Sequence, residues 1–233
     1  KDFPGIDFSR LKIHLLEGGD HTLHTMSPLA KKSSEKYLKE LGVQLRTGVF
    51  VRNYDGTILH LSNGEILESK NVIWTAGITG NMIMGLPQEV ATSAMRIRVD
   101  RTSRVQGYEN IYAIGDIAYM ETPKYPKGHP QVANVAINQG KNLARNFTRM
   151  VKGREPLEYE YRDLGSMATV GRNKAIVDLP LVSFHGYLAW YFWMFLHLML
   201  ILSVRNKLII FINWAWNYIT KNSSLRLILK VNS

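Results

Sequence analysis

Apolar and polar positions divide this chain into an α/β portion and an apolar tail. The run Lys12-Ile13-His14-Leu15-Leu16-Glu17, closed by Gly18-Gly19-Asp20, predicts a short strand ending in a turn. Ser27-Pro28 supplies an N-cap and an N1 proline for a helix to Leu41, with Gly42 as its C′ residue. Val43-Gln44-Leu45 resumes as strand, and the turn signals Asp55-Gly56 and Asn63-Gly64 make 49–68 an antiparallel meander. Val72-Ile73-Trp74 predicts a buried strand ending at Thr75-Ala76-Gly77. Residues 96–100 and Ile111-Tyr112-Ala113-Ile114 predict two more strands, the second running into Gly115-Asp116. Residues 131–150 form a long helix with Ala133, Ala136, Gly140 and Ala144 on one side. The order of elements is that of an α/β fold with two sheets, one ending near Gly77 and one near Gly115.

The tail has a different pattern. In 187–204 only His197 and Ser203 are clearly polar, and 208–219 is apolar apart from Asn213 and Asn217. As a helix the first run would reach about 27 Å and the second about 18 Å, against a hydrocarbon core of roughly 30 Å. Asn206, Asn213, Asn217 and Thr220 recur on one face, so the second helix is amphipathic and suits a membrane interface. The first run reads as a span, an inserted hairpin arm, a helix buried in a partner subunit or a core helix of a soluble domain. Together the two helices predict a monotopic, peripheral anchor.

Charge sharpens this picture. The chain of 233 residues carries 29 Lys+Arg against 19 Asp+Glu, a formal net charge of +10, which by itself invites a nucleic-acid partner. Half of that excess, Arg205, Lys207, Lys221, Arg226 and Lys230, lies beyond Gly186, where there is no acid and where four of the five Trp stand. Basic residues beside apolar, Trp-rich helices match an anionic membrane surface, so no nucleic acid is expected. With 45% hydrophobic and 21% charged residues the chain is not disordered or low-complexity. Zero cysteines exclude a disulfide scaffold, a thiolate metal site, a catalytic thiol and a redox dithiol within these residues, and no metal site is expected. The chain opens on Lys1, and Asp2-Phe3-Pro4-Gly5 reads as loop, as in the remainder of a longer protein.

Three places can carry chemistry. Glu17 at a strand end suits the hydroxyls of an adenosine ribose and repels a 2′-phosphate, favouring NADH over NADPH; it also reads simply as a strand entering a turn. Gly115 allows close backbone approach and Asp116 can accept from sugar-alcohol hydroxyls, although Gly-Asp is also a common turn. The helix start near Ala133 offers free N–H groups to negative charge, and Asn134, Asn138 and Gln139 can hold a carbonyl or quinone oxygen or form a solvated face. No residue reads as an acid or base catalyst.

With these sites in order, followed by Arg162-Asp163-Leu164-Gly165-Ser166-Met167-Ala168-Thr169-Val170-Gly171-Arg172 and the apolar tail, the chain resembles type II NADH dehydrogenases from about Lys12 onward. These are non-pumping, FAD-containing NADH:quinone oxidoreductases of the respiratory chain. The resemblance implies part of two interleaved Rossmann-like dinucleotide-binding domains, like those of glutathione reductase, plus a C-terminal helical membrane-anchoring module. Residues 1–97 would be the later part of the NADH-binding domain, 98–150 the returning segment of the FAD-binding domain, and 151–233 the membrane-anchoring region.

By the same resemblance Gly115, Asp116, Ala133, Asn134 and Val135 bind FAD, and Glu17, Ala76 and Gly77 bind NADH. Asn134, Asn138, Gln139, Gly165 and Ser166 form the quinone site. The implied partners are NADH, quinone, a lipid surface and a second subunit in a homodimer, at the cytoplasmic face of a bacterial inner membrane. Asn134 and Asn138 depart from the family's usual glutamines, and Leu164 stands where a lysine is frequent. No Gly-x-Gly-x-x-Gly occurs, so both phosphate-binding loops are expected in an N-terminal half outside this chain. The alternatives are a soluble NADH-dependent flavin reductase or peroxidase of the same superfamily and a non-catalytic membrane-tethered fragment. A sulfide:quinone oxidoreductase would need cysteines.

Overall fold

The structure is a computed structural model that describes residues 7–81, 83–201 and 203–220. The loop read at 2–5 and the tail cations Lys221, Arg226 and Lys230 lie outside the described residues. The chain divides into two compact units, Lys1–Val72 with Leu164–Ser233, and Ile73–Asp163. The cofactor-based boundaries at 97/98 and 150/151 both lie inside the second unit.

In the first unit β1 (Ile13–Glu17) pairs in parallel with β2 (Val43–Thr47), Ile13 opposite Val43 and Glu17 opposite Thr47. A parallel pair needs a crossover, and α1 (Pro28–Glu40) supplies it. Ser27 caps α1 by accepting from the Ala30 N–H at 3.3 Å, Pro28 opens it, and Gly42 follows at φ +80°. The meander is β3 (Val51–Tyr54), β4 (Ile58–Leu61) and β5 (Ile66–Glu68), antiparallel throughout.

The first unit continues after Leu164 with a second antiparallel sheet, β8 (Ser166–Gly171), β9 (Lys174–Asp178) and β10 (Ser183–Gly186), with β9 in the centre. Successive side chains of β9 point to opposite faces. Ile176 packs with Met26, Ala30 and Tyr37 on the α1 side. Ala175 and Val177 pack with Ala189 of α3 (Tyr187–Leu200) on the other. The sheet is therefore covered on both faces, by α1 from early in the chain and by α3 from late in it. Tyr37 Oη and His185 Nδ1, 2.8 Å apart, add a polar tie between α1 and β10.

Asp178 fastens the same layers: it accepts from the Ser27 N–H at 2.6 Å and from the Ser183 hydroxyl. Burial pushes its carboxyl up, but the hydrogen bonds from Ser183 and Ser27 outweigh this and hold it below the ordinary aspartate value. A carboxyl depressed by folding stabilises the fold above its unfolded pKa and ceases to as pH falls through the folded value. Asp178→Asn is expected to cost about 1–3 kcal/mol at pH 7, and less below the usual carboxylate range. Urea melts at pH 7 and pH 3 check this, and a cost independent of pH would contradict it.

In the second unit β6 (Ile97–Val99) and β7 (Ala118–Met120) pair in parallel, Ile97 opposite Ala118. Ile97, Val99, Val105, Ala113, Ala118 and Met120 form its core. Helix α2 (Ala133–Val151) turns Val135, Gln139 and Asn146 inward. Asn146 exchanges hydrogen bonds with the backbone of Leu157, its Oδ1 accepting at 2.7 Å and its Nδ2 donating at 2.9 Å.

Three expectations are corrected. Residues 72–74 are not a buried strand: Ile73 is 88% and Trp74 66% exposed. An apolar run becomes strand only where a neighbour takes its N–H and C=O groups, and no described strand pairs with this one. Residues 111–114 make only an isolated bridge, Tyr112 to Arg104, and regular strand begins after Gly115-Asp116, at β7. The described strands form four small sheets, where the sequence pattern predicts two.

The tail is also more broken than its composition. The apolar run 187–204 is no continuous helix, because α3 stops at Leu200 and Ile201 is extended. Helix α4 (Val204–Thr220) then folds back, with Trp193 stacked on Trp214 at 6.2 Å and Trp190 against Tyr218 at 5.4 Å. Early residues of α3 meet late residues of α4, which makes an antiparallel hairpin. At 14 residues α3 is about 21 Å long, and no described helix is long and apolar enough to cross a membrane.

Candidate functional site

In the second unit the chain leaves its isolated bridge at Tyr112 and makes a tight 3-10 turn at Gly115–Ile117. Gly115 has φ +73°, and a Cβ there would stand 3.2 Å from the Ala136 Cβ of α2. The residue must be glycine for both reasons, conformation and close approach. The Gly115 N–H donates to Gln139 Oε1 at 2.7 Å, and the Asp116 carbonyl accepts from Arg96 Nε and Gln131 Nε2, each at 3.1 Å. Arg96 goes further and donates through Nη2 to the carbonyls of Ala118 at 2.5 Å and His129 at 3.0 Å. One buried guanidinium thus holds three backbone carbonyls around the turn. Burial pushes its pKa down, with Tyr119 and Asp116 acting the other way.

The turn leaves two groups open. Asp116 is exposed, and its carboxylate has no hydrogen-bond partner among the described residues. Helix α2 begins at Ala133 without a side-chain cap on Val132, so its first N–H groups and the positive end of its dipole are free to face an acceptor. Gln139 Nε2 is buried without a partner, an orphaned donor on the residue that holds Gly115. Exposed carboxylate, uncapped helix start and orphaned donor suit a ligand rich in hydroxyls and carbonyl oxygens.

The other expected residues divide between the units. Ala133, Asn134, Val135, Asn138 and Gln139 share the first turns of α2. Asn138 Nδ2 donates to the Asn134 carbonyl at 2.9 Å and to its Oδ1 at 2.8 Å, so the two asparagines are joined along the helix. Gln139 is fully buried and engaged with Gly115, a packing role that its place in a polar row does not reveal. Ala76 and Gly77 lie in the second unit in an exposed loop, Gly77 at φ +92°.

Glu17, Gly165 and Ser166 belong to the first unit. Glu17 ends β1 at the carboxyl edge of the parallel pair, and its Oε1 accepts from the Gly19 N–H at 2.8 Å. Its other carboxylate oxygen has no partner among the described residues. Gly165 has φ +101° and passes so close to Leu179 that a Cβ would stand 2.9 Å from its Cα, while Ser166 opens β8 opposite Asp178.

In the sequence Arg96 and Gln131 only open a predicted strand and a predicted helix, and neither is read as a site residue. Arg96 opens the alternating run Arg96-Ile97-Arg98-Val99-Asp100, in which nothing distinguishes it from Arg98. Among the described residues no group of three or more His, Asp or Glu is arranged to hold a metal.

Comparisons with known proteins follow the same lines. The family model "Pyridine nucleotide-disulphide oxidoreductase" matches residues 6–140, and "NDH2 C-terminal domain" matches 164–222. The type II NADH:quinone oxidoreductase Ndh of Mycobacterium tuberculosis is 30% identical over 94% of this chain and 48% of its own length. The internal alternative NAD(P)H-ubiquinone oxidoreductase A1 of Arabidopsis thaliana mitochondria is 30% identical over 90% of this chain and 44% of its own. The chain thus spans about half the length of the curated relatives it matches. Among solved structures, NDH2 from Plasmodium falciparum in complex with NADH superposes with a TM-score of 0.81 at 19% identity, over 91% of this chain and 59% of that one. The sulfide:quinone oxidoreductase of Aquifex aeolicus gives 0.65 at 18%, over 92% and 55%. Both likenesses are of fold.

Proposed function

The chain belongs to the pyridine nucleotide-disulphide oxidoreductase family, and from that premise we propose that the intact protein passes electrons from NADH through FAD to a membrane quinone. When bound, FAD would supply the redox chemistry by accepting a hydride from NADH and releasing two electrons to the quinone. The observation that carries the reading is the Gly115-Asp116 turn, with its free carboxylate, beside the uncapped start of α2.

Asp116 would accept from the ribitol hydroxyls, and Gly115 would hold the turn close against α2 so that this carboxylate stands beside the helix start. Ala133, Asn134 and Val135 would turn the positive end of α2 toward the pyrimidine side of the flavin. Glu17 would accept from the ribose hydroxyls of NADH, with Ala76 and Gly77 at the nicotinamide end. Asn134, Asn138, Gln139, Gly165 and Ser166 are the proposed quinone contacts. Segments 1–97, 98–150 and 151–233 are the proposed NADH-binding, FAD-binding and membrane-anchoring parts of two interleaved Rossmann-like domains. Both phosphate-binding loops are assigned to a part of the protein outside these residues, and a homodimer is the proposed assembly.

Purified intact protein loaded with FAD should oxidise NADH when a short-chain quinone is added in detergent; absence of quinone-dependent oxidation would sink the proposal. Glu17→Gln removes a negative charge that repels a 2′-phosphate, so the preference for NADH over NADPH should fall about tenfold, the equivalent of roughly 1.4 kcal/mol. An unchanged ratio of kcat/KM for the two nucleotides would remove Glu17 from the site.

Membrane attachment is the second element of the reading. Leu188, Phe195 and Leu200 of α3 and Leu208, Ile212, Trp216 and Ile219 of α4 are each more than half exposed. Exposed apolar side chains beside Arg205 and Lys207 suit a peripheral position on an anionic leaflet, proposed as the cytoplasmic face of a bacterial inner membrane. Because α3 packs on β9, deleting the whole tail would also uncover the sheet. The cleaner test is Leu208→Glu with Ile212→Glu, at 58% and 62% exposure. The double variant should remain folded and no longer sediment with vesicles; undiminished sedimentation would count against the anchor.

A further inference from the structure

Between α3, α4 and the β8–β9 turn lies a cavity of ≈ 270 Å³ walled by Trp190, Trp193, Met194 and Trp214, with Arg172, Tyr218 and Asn217, whose Oδ1 is buried without a donor. No proposed cofactor residue lines it. The indole N–H groups of Trp190, Trp193 and Trp214 have no acceptor among the described residues and are not buried away from solvent. Arg172 lies over the Tyr218 ring, 4.2 Å from its centroid, and donates to the Tyr218 carbonyl. A guanidinium has five N–H donors, so most of them remain available. No described carboxylate pairs with Arg172, and from Gly186 onward the sequence has no acid at all. Arg172 is exposed, so its charge is hydrated in the free protein and available to an anion from solution.

The chemistry of the walls narrows the choice. The orphaned Asn217 Oδ1 asks for a donor such as a headgroup hydroxyl, the solvent-facing indole N–H groups can give to acceptor oxygens, the guanidinium can engage an anion through two N–H groups, and the apolar lining disfavours a fully hydrated ion. The exposed apolar residues of both helices ask for a hydrocarbon body beyond the polar end. An anionic phospholipid meets all of these at once. We propose that this cavity is the headgroup site for one anionic phospholipid, its phosphate on Arg172, its ester oxygens toward the indole N–H groups and its acyl chains along the exposed sides of α3 and α4. The proposal rests on the membrane reading above and adds to it a single, saturable lipid site.

The test uses intact protein and dihexanoyl phosphatidylglycerol below its micelle concentration, followed by tryptophan fluorescence, with dihexanoyl phosphatidylcholine as the zwitterionic comparison. Expected are a saturable spectral change and binding about tenfold tighter for the anionic lipid, as one charge-assisted contact supplies. Arg172→Gln should abolish that preference, and Trp214→Phe, which keeps an aromatic wall but loses an indole N–H, should weaken binding about threefold. Equal response to both lipids, or an unchanged preference in Arg172→Gln, overturns the site. So does saturation by inorganic phosphate alone, or by a short-chain quinone with no response to lipid. Sedimentation with phosphatidylcholine vesicles reports hairpin insertion separately. Its loss would sink the membrane reading, whereas intact sedimentation without anionic preference would sink only the lipid site.

Discussion

Arg96→Leu is expected to lower the unfolding free energy by about 3 kcal/mol or more, since a buried acceptor stripped of its donor costs roughly 1–3 kcal/mol. The wild-type guanidinium serves three such acceptors, the carbonyls of Asp116, Ala118 and His129. Leucine keeps an apolar side chain at the position and serves none of them. The same change frees the Gly115-Asp116 turn, so the intact protein should lose FAD on gel filtration, read as flavin absorbance leaving the protein peak. Arg96→Lys has one nitrogen where the parent has a fork, and should recover part of the stability and part of the bound flavin. A variant with parental stability and flavin content would show that the turn holds its shape without Arg96.

Ile176→Ala is expected to cost about 2–5 kcal/mol, the range for removing a buried aliphatic side chain and leaving a cavity. Ile176 is fully buried at the centre of β9, against Met26, Ala30 and Tyr37. It joins a helix near the start of the chain to a sheet near its end, and neither segment can bury that face alone. Ile73→Ala, by contrast, should change stability by no more than about 0.5 kcal/mol, because Ile73 is 88% exposed. Paired denaturant melts of the two variants read the difference. Equal costs would mean that the apolar run at 72–74 is packed after all.

Much of the local structure was legible in the residues. The cap and stop of α1 follow from Ser27, Pro28 and Gly42, and the meander from Asp55-Gly56 and Asn63-Gly64, because these signals act within a few residues of themselves. Strand status was less legible. Val72-Ile73-Trp74 has the composition of a buried strand and lacks a described partner, while β7 is only three residues and has β6 beside it. The helical character of the tail was plain, but the break at Ile201 was not, since 187–204 contains no proline or glycine to mark it.

The candidate site shows the same division. Glu17, Gly115 and Asp116 were visible because each is an unusual residue at the end of an apolar run. Gln139 looked like one of three polar residues on a helix face, yet it alone is fully buried and holds the Gly115 N–H. Arg96 gave little sign of its three carbonyls, which come from residues 20 to 33 positions away.

The sequence by itself determined α1 and the meander, the α/β class, the concentration of positive charge beside the tail and the absence of any cysteine chemistry. Those features depend on short-range backbone preferences and on composition, which a linear chain carries in full. The tertiary structure decided which elements share a core, that β9 is covered by α1 on one face and α3 on the other, and that the tail closes into a hairpin with Tyr218 against Arg172. Each of those outcomes depends on a partner far along the chain for a hydrogen bond, an apolar face or a charge, and only folding selects that partner.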